Sequence, residues 1–446
     1  MKGRISVLIF LLLLSFTAAA EDLMNLIGKD FHIFSEDRPR FIKPSNARYF
    51  HWMSNEKTAV RYHSAQSRAK LTFFDLPISE VIIYFEENRV SRVYISVYNR
   101  GDNQQISSAE FYKISSQLFE HLKTLYRGER HVLRKEKIAD GKVVNAVVWR
   151  GKKYSCSIIW SLTGKTRRTE KPEYLQVEFE PYNPSKDPAT RPLVRADRTT
   201  IASRQNLPEN VQRKNNGNVY IDNIPMVDQG PKGYCVAAVL ERVLRYYNVS
   251  VTQHTIAQLC GTNAKSGTST DEMVRVMENV SGKLGIKIRE EYNLFGKNAV
   301  GALKDILSSY NRLARKKKKT ERKMVIRDRM IYLDETIYNL EPEIYAQVRN
   351  NDSDRRKFYQ TIVRNVNAGI PVIWCVLIGI MPEDKVSPQT KGGHMRLIIG
   401  YNEKNQEILY TDSWGRGHEL KSMPIQHAWP ITTRVLYMVP RARKTY

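Results

Sequence analysis

Cysteine is scarce in this chain: Cys156, Cys235, Cys260 and Cys375 are the four among 446 residues. So few exclude a disulfide scaffold, even for an exported protein. Acidic residues are also short, 46 against 71 basic ones, for a net charge of +25. That balance favours acidic partners, such as a polyanionic surface polymer. No zinc-finger or RRM-type signature accompanies it, so no specific nucleic-acid module is implied and the charge reads as surface chemistry. There is no His-Glu-x-x-His, no paired Cys-x-x-Cys and no phosphate-binding glycine loop, so no metal or nucleotide cofactor is implied.

A long apolar run occurs only at the start. Met1-Lys2-Gly3-Arg4 precedes Ile5 to Phe16, and Ala18-Ala19-Ala20 follows. This reads as a secretory leader over residues 1–20, cut after about Ala20. The run is too short for a comfortable transmembrane helix. The mature protein is therefore expected to be secreted or periplasmic, with no integral membrane span. Apolar residues make up 41% of the chain, enough for packed cores, and the length implies two or more domains.

Residues 21–180 read as an α+β accessory domain. Val81, Ile83 and Phe85 alternate with their neighbours, as do Val93, Ile95 and Val97, and Glu87-Asn88-Arg89 joins the two runs as a hairpin. Ser107-Ser108-Ala109-Glu110 is a capping box. It opens a helix with Phe111, Ile114, Leu118, Leu122 and Leu125 on one face. Strands follow near 143–149, 154–160 and 174–180. No catalytic constellation lies here. Residues 181–218 carry Pro181, Pro184, Pro188, Pro192 and Pro208, lose apolar periodicity and read as a linker.

The second domain, 219–446, carries the chemistry. Gly230, Pro231 and Gly233 make a loop that ends at Cys235. Val236, Val239, Leu240, Val243, Leu244 and Tyr247 then recur at steps of three and four, so a helix begins at the cysteine. Unpaired N–H groups and the dipole at a helix start favour a thiolate. A free cysteine is more often an inert buried residue, and a second segment alters that balance. Gly392-Gly393-His394 opens an apolar strand that ends at Gly400-Tyr401. Asn402 to Gln406 has hairpin length, and Ile408 to Asp412-Ser413-Trp414-Gly415 returns. Such a hairpin brings His394 and Asp412 together, completing a nucleophile, a base and an orienting group.

Helices are expected over 252–259 and through Val274, Met277 and Val280, with another short one at Leu303 to Leu307. Arg315-Lys316-Lys317-Lys318-Lys319 reads as a basic run in a polar insertion. Phe358 to Val366 is helical in pattern, and Pro371 starts a buried strand holding Cys375. Cys156 also lies in a strand pattern, while Cys260 ends a helix and is free to pair.

These motifs resemble those of papain-like cysteine peptidases, in particular the bacterial C39-like branch. They are Ile224-Pro225-Met226-Val227-Asp228-Gln229-Gly230, Cys235-Val236-Ala237-Ala238, the His394 strand and Asp412-Ser413-Trp414-Gly415. The Cys-Gly-Ser-Cys-Trp signature of the plant and lysosomal enzymes is absent. The resemblance implies a papain-like α+β domain, a helical half followed by a small antiparallel sheet, acting on a protein or peptide substrate. It implies catalysis by Cys235, His394 and Asp412, with Gln229 as oxyanion donor and Trp414 shielding the His–Asp bond. It also implies that the first domain is a retained or removable pro-region. Two other functions stay open: a cysteine acyltransferase of transglutaminase type, and a non-catalytic binding protein on the same scaffold.

Overall fold

β-branched and aromatic residues dominate the alternating stretches of the first half, and most of these pair into one eight-stranded sheet, beside a small three-stranded one. The computed structural model describes residues 20–37, 44–103, 105–138, 142–164, 166, 169–194, 201–263, 266–383 and 391–441. The expected leader, all but Ala20, lies outside the described residues. Eight strands form the N-terminal sheet: β1 (His51–Trp52), β2 (Ala59–His63), β3 (Glu80–Glu86), β4 (Arg89–Asn99), β5 (His131–Lys137), β6 (Val143–Arg150), β7 (Tyr154–Thr163) and β8 (Lys171–Pro181). Their order is β1-β2-β3-β4-β8-β7-β6-β5, and every pairing is antiparallel. Helix α1 (Ser108–Leu125) lies against it with Phe111, Leu118 and Leu122 buried, and the Ser107 hydroxyl accepts the Glu110 N–H at 3.1 Å as its cap.

The C-terminal lobe also builds on an eight-stranded sheet, here screened by helices. Its strands are β9 (Val211–Arg213), β10 (Asn218–Ile221), β11 (Ile286–Asn293), β12 (Val372–Ile378), β13 (Gly392–Asn402), β14 (Glu407–Thr411), β15 (Lys421–Pro424) and β16 (Thr432–Pro440). The path runs β9-β10-β13-β12-β16-β11, and β14 branches off to pair with β13 and β15. All seven residues of β12 are buried, as suits a central strand. Its helices include α2 (Cys235–Tyr246), α3 (Gln253–Leu259), α4 (Thr270–Val280), α5 (Ala299–Lys316) and α6 (Asp354–Asn367). The whole is a mixture of helices and sheets, an α+β architecture.

Two local expectations change. β9 falls inside the stretch read as linker: three residues are too few to show a period, and backbone pairing of Gln212 with Tyr220 makes the strand. The helix expected around 303–307 runs to Lys316, because Leu303, Leu307, Tyr310 and Ala314 bury one stripe along it. The basic run therefore starts in the helix's last turn with Arg315 and Lys316, where cations suit the dipole, and continues past its end; Arg315 and Lys319 pair with Glu321 and Glu341. Among the described residues no helix is long and apolar enough to cross a membrane.

Candidate active site

Register sets the site. β13 and β14 pair Leu397 with Thr411, so Asp412 follows the last paired residue and stands opposite Arg396. Side chains two apart on a strand share a face, and His394 therefore lies on the same side as Arg396. His394 Nε2 is 2.8 Å from Asp412 Oδ1. That bond leaves Nδ1 for the remaining neighbour, the Cys235 thiol, which hydrogen-bonds the imidazole from the first turn of α2. Arg242, buried on the same helix, anchors it to the strand end. It donates to the Asp412 carbonyl at 2.7 Å, to Thr411 Oγ1 at 2.8 Å and to the Pro225 carbonyl at 2.9 Å.

The four thiols separate by environment, and all four are free. Burial pushes Cys156 well above its ordinary value and Cys260 and Cys375 up to about 12. Cys235 is half-buried. Burial raises it too, but the bond to His394 and the imidazolium charge outweigh that, and the thiol titrates below its usual value. His394 is the mirror case: burial lowers it, the bonds to Asp412 and Cys235 raise it further, and the net shift is upward. Both shifts favour the thiolate–imidazolium form of the pair. The rate of iodoacetamide alkylation at Cys235 is expected to rise as the thiol ionises, below the ordinary thiol range, and to change again as the imidazolium loses its proton, above the ordinary imidazole range. In His394→Ala the rising limb should move upward, because the bond and charge of the histidine are gone and only the weaker backbone bonds from Met395 and Val236 still oppose burial. An unchanged limb would rule out the pair.

Asp412 is fully buried and serves more than the histidine. Arg396 Nε lies 2.9 Å from Oδ1 and Lys421 Nζ 2.9 Å from Oδ2, and Arg396 reaches on to Glu383 at 2.6 Å. Burial alone would raise the Asp412 carboxyl; Arg396, the bond to His394 and Lys421 hold it far below the usual carboxylate range. The Trp414 indole stacks on the His394 ring at 4.2 Å and 10°. His418, which has no role in the sequence reading, stands 4.0 Å from Asp412 Oδ2 and edge-on to Trp414.

Gln229 sits on the loop before the nucleophile. Its Oε1 accepts the Ser413 hydroxyl at 2.8 Å, its N–H donates to the Ser413 carbonyl at 2.8 Å, and Nε2 gives one hydrogen to the Lys232 carbonyl at 3.0 Å. The second Nε2 hydrogen is left over. The Cys235 N–H opens α2 and has no intrahelical acceptor. Arg396, Lys421 and Glu383 were missed from sequence. Arg396 left a signal, a charge on the buried face of an apolar strand two residues from His394; Lys421 and Glu383 left none. Among the described residues no group of three or more His, Cys, Asp or Glu side chains is placed to hold a metal ion.

A half-buried thiol bonded to an imidazole, itself bonded to a buried carboxylate, is an arrangement suited to nucleophilic chemistry. Residues 323–436 match the model of the Peptidase_C39 like family. That segment includes His394 and Asp412 and stops short of Cys235 and Gln229. The C-terminal half is thus similar to C39-like peptidases. A solved structure, xylellain, a cysteine protease from Xylella fastidiosa, is 12% identical, with a TM-score of 0.22, over 56% of this chain and 94% of that one. No curated protein matches the chain.

Proposed function

We propose that this protein is an exported cysteine peptidase that hydrolyses peptide bonds with Cys235, His394 and Asp412. The observation that carries the reading is the arrangement of three side chains: Cys235 opens α2 against His394, whose Nε2 lies 2.8 Å from the buried Asp412 carboxylate. The Cys235 thiolate attacks the carbonyl carbon of the scissile bond. The oxyanion so formed takes hydrogen bonds from the Cys235 N–H and the second Gln229 amide hydrogen. His394 passes its proton to the leaving amine, and a thioester remains on the sulfur. His394 then removes a proton from water, which attacks the thioester and releases the carboxylic acid and the thiolate. Asp412 keeps the imidazole tautomer with Nδ1 towards sulfur, and Trp414 covers the ring.

Export rests on the leader at residues 1–20. Incubation with an unfolded protein under reducing conditions is expected to produce peptides with new amino termini, read by mass spectrometry. Amine incorporation into an intact backbone would favour acyl transfer, and an inert thiol the binding protein. Gln229→Ala should lower kcat by about 10²–10³ with little change in KM. Unchanged kcat would remove Gln229 from the oxyanion site.

A further inference from the structure

The loop from Asp228 to Tyr234 shapes both oxyanion donors, yet its side chains are anchored in the other lobe. Asp228 Oδ2 lies 2.9 Å from Arg61 Nη1. Lys232 places Nζ 2.7 Å from both oxygens of Asp102, and each of these side chains is only 2% exposed. Asp102 is fixed in turn by Asn99 Nδ2 at 3.1 Å and by His63 Nε2 at 3.2 Å. The Tyr234 hydroxyl donates to Asn99 Oδ1 at 3.3 Å, and a Cβ on Gly101 would stand 2.4 Å from that hydroxyl oxygen. Arg61, His63, Asn99, Gly101 and Asp102 all belong to the N-terminal lobe.

Lys232 is also the hub of the loop. Its carbonyl accepts the Gln229 Nε2 bond at 3.0 Å and the Tyr234 N–H at 2.8 Å. The residue gripped by Asp102 therefore fixes both the oxyanion amide and the residue before the nucleophile. A buried ammonium without its carboxylate tends to swing to water, and that swing would shift the main chain that carries the carbonyl. The two lobes also share one apolar core, in which Ile138, Val144 and Tyr174 pack with the C-terminal helices. Tyr174 OH lies 3.0 Å from Thr255 Oγ1.

We propose that the N-terminal lobe is a permanent part of the peptidase site, with Asp102 a positioning residue that holds Gln229 in its donating pose through Lys232. This rests on the peptidase reading above, and of the retained or removable pro-region that the family resemblance implies it selects the retained one. The test compares two ligands of Cys235 on the full-length chain. A peptide aldehyde forms a hemithioacetal whose oxygen occupies the oxyanion site; iodoacetamide alkylates the same sulfur without one. Asp102→Asn is expected to lower kcat and aldehyde affinity by on the order of 10²-fold, with KM and the alkylation rate near wild type. Asp102→Glu, which keeps the charge, should recover much of the loss. If Asp102→Asn does not fold, Tyr234→Phe carries the same readouts with a smaller effect, a several-fold loss of aldehyde affinity at unchanged alkylation. Wild-type aldehyde affinity in the folded variant, or a parallel loss of alkylation, overturns the positioning role. A wild-type protein whose Cys235 reacts no faster than its other cysteines overturns the peptidase reading instead.

Discussion

Cys235→Ala is expected to reduce peptide hydrolysis to background, a loss on the order of 10⁶ in kcat, as for the members of a catalytic unit that fail together. The fold should survive. Position 235 is the first residue of α2 and half-buried, alanine is the best helix former, and the buried face from Val236 to Leu244 is untouched. The thermal midpoint should therefore stay within a few degrees of wild type while activity vanishes. Retained hydrolysis would mean that another group is the nucleophile. The three remaining thiols are poor substitutes, because burial holds each of them in the neutral form at neutral pH.

The second large effect is expected at Asp412. Asp412→Asn keeps the shape but removes the charge that favours the imidazolium, and sets an NH2 group against the donors of either His394 and Arg396 or Lys421, a change worth on the order of 10⁴ in kcat in the serine triad. Stability should fall as well, unlike in Cys235→Ala. Arg396 would keep its bond to Glu383 but lose the charge of Asp412, as would Lys421, and breaking such a buried pairing costs about 3–5 kcal/mol. The pH dependence has a definite sign. The Asp412 carboxyl is held below its unfolded value, so its stabilisation is fully present above about pH 4 and drains away as pH falls from there. Glu80, beside Arg61, and Asp102, beside Lys232, are lowered in the same direction and add to it. Chemical denaturation at pH 7 and pH 3 should show a steep loss for the wild type and a shallower one for Asp412→Asn. Equal slopes would deny Asp412 its share.

Much of this site could be read from the chain because its signals are local. The apolar period from Val236 to Leu244 announced α2, and a polar stretch of hairpin length announced the turn that sets Asp412 beside His394. Ser107 and Glu110 announced the cap of α1. The charges around Asp412 were less visible: Lys421 lies nine positions on, at the start of β15, and Glu383 lies before β13, but neither stands in a pattern that points to Asp412. The clasp of Asp102 on Lys232 joins residues 130 positions apart across two lobes, and neither residue stands in any pattern. The length of α5 was hidden by its own charge, since lysines that cover a solvated helix face look the same as lysines in a loop.

The most direct test of the account is covalent labelling by an epoxysuccinyl inhibitor, mapped residue by residue by mass spectrometry in the wild type and in His394→Ala. The account predicts fast, single-site modification of Cys235 in the wild type and its disappearance in His394→Ala. Slow modification spread over several cysteines, equal in the two proteins, would contradict it.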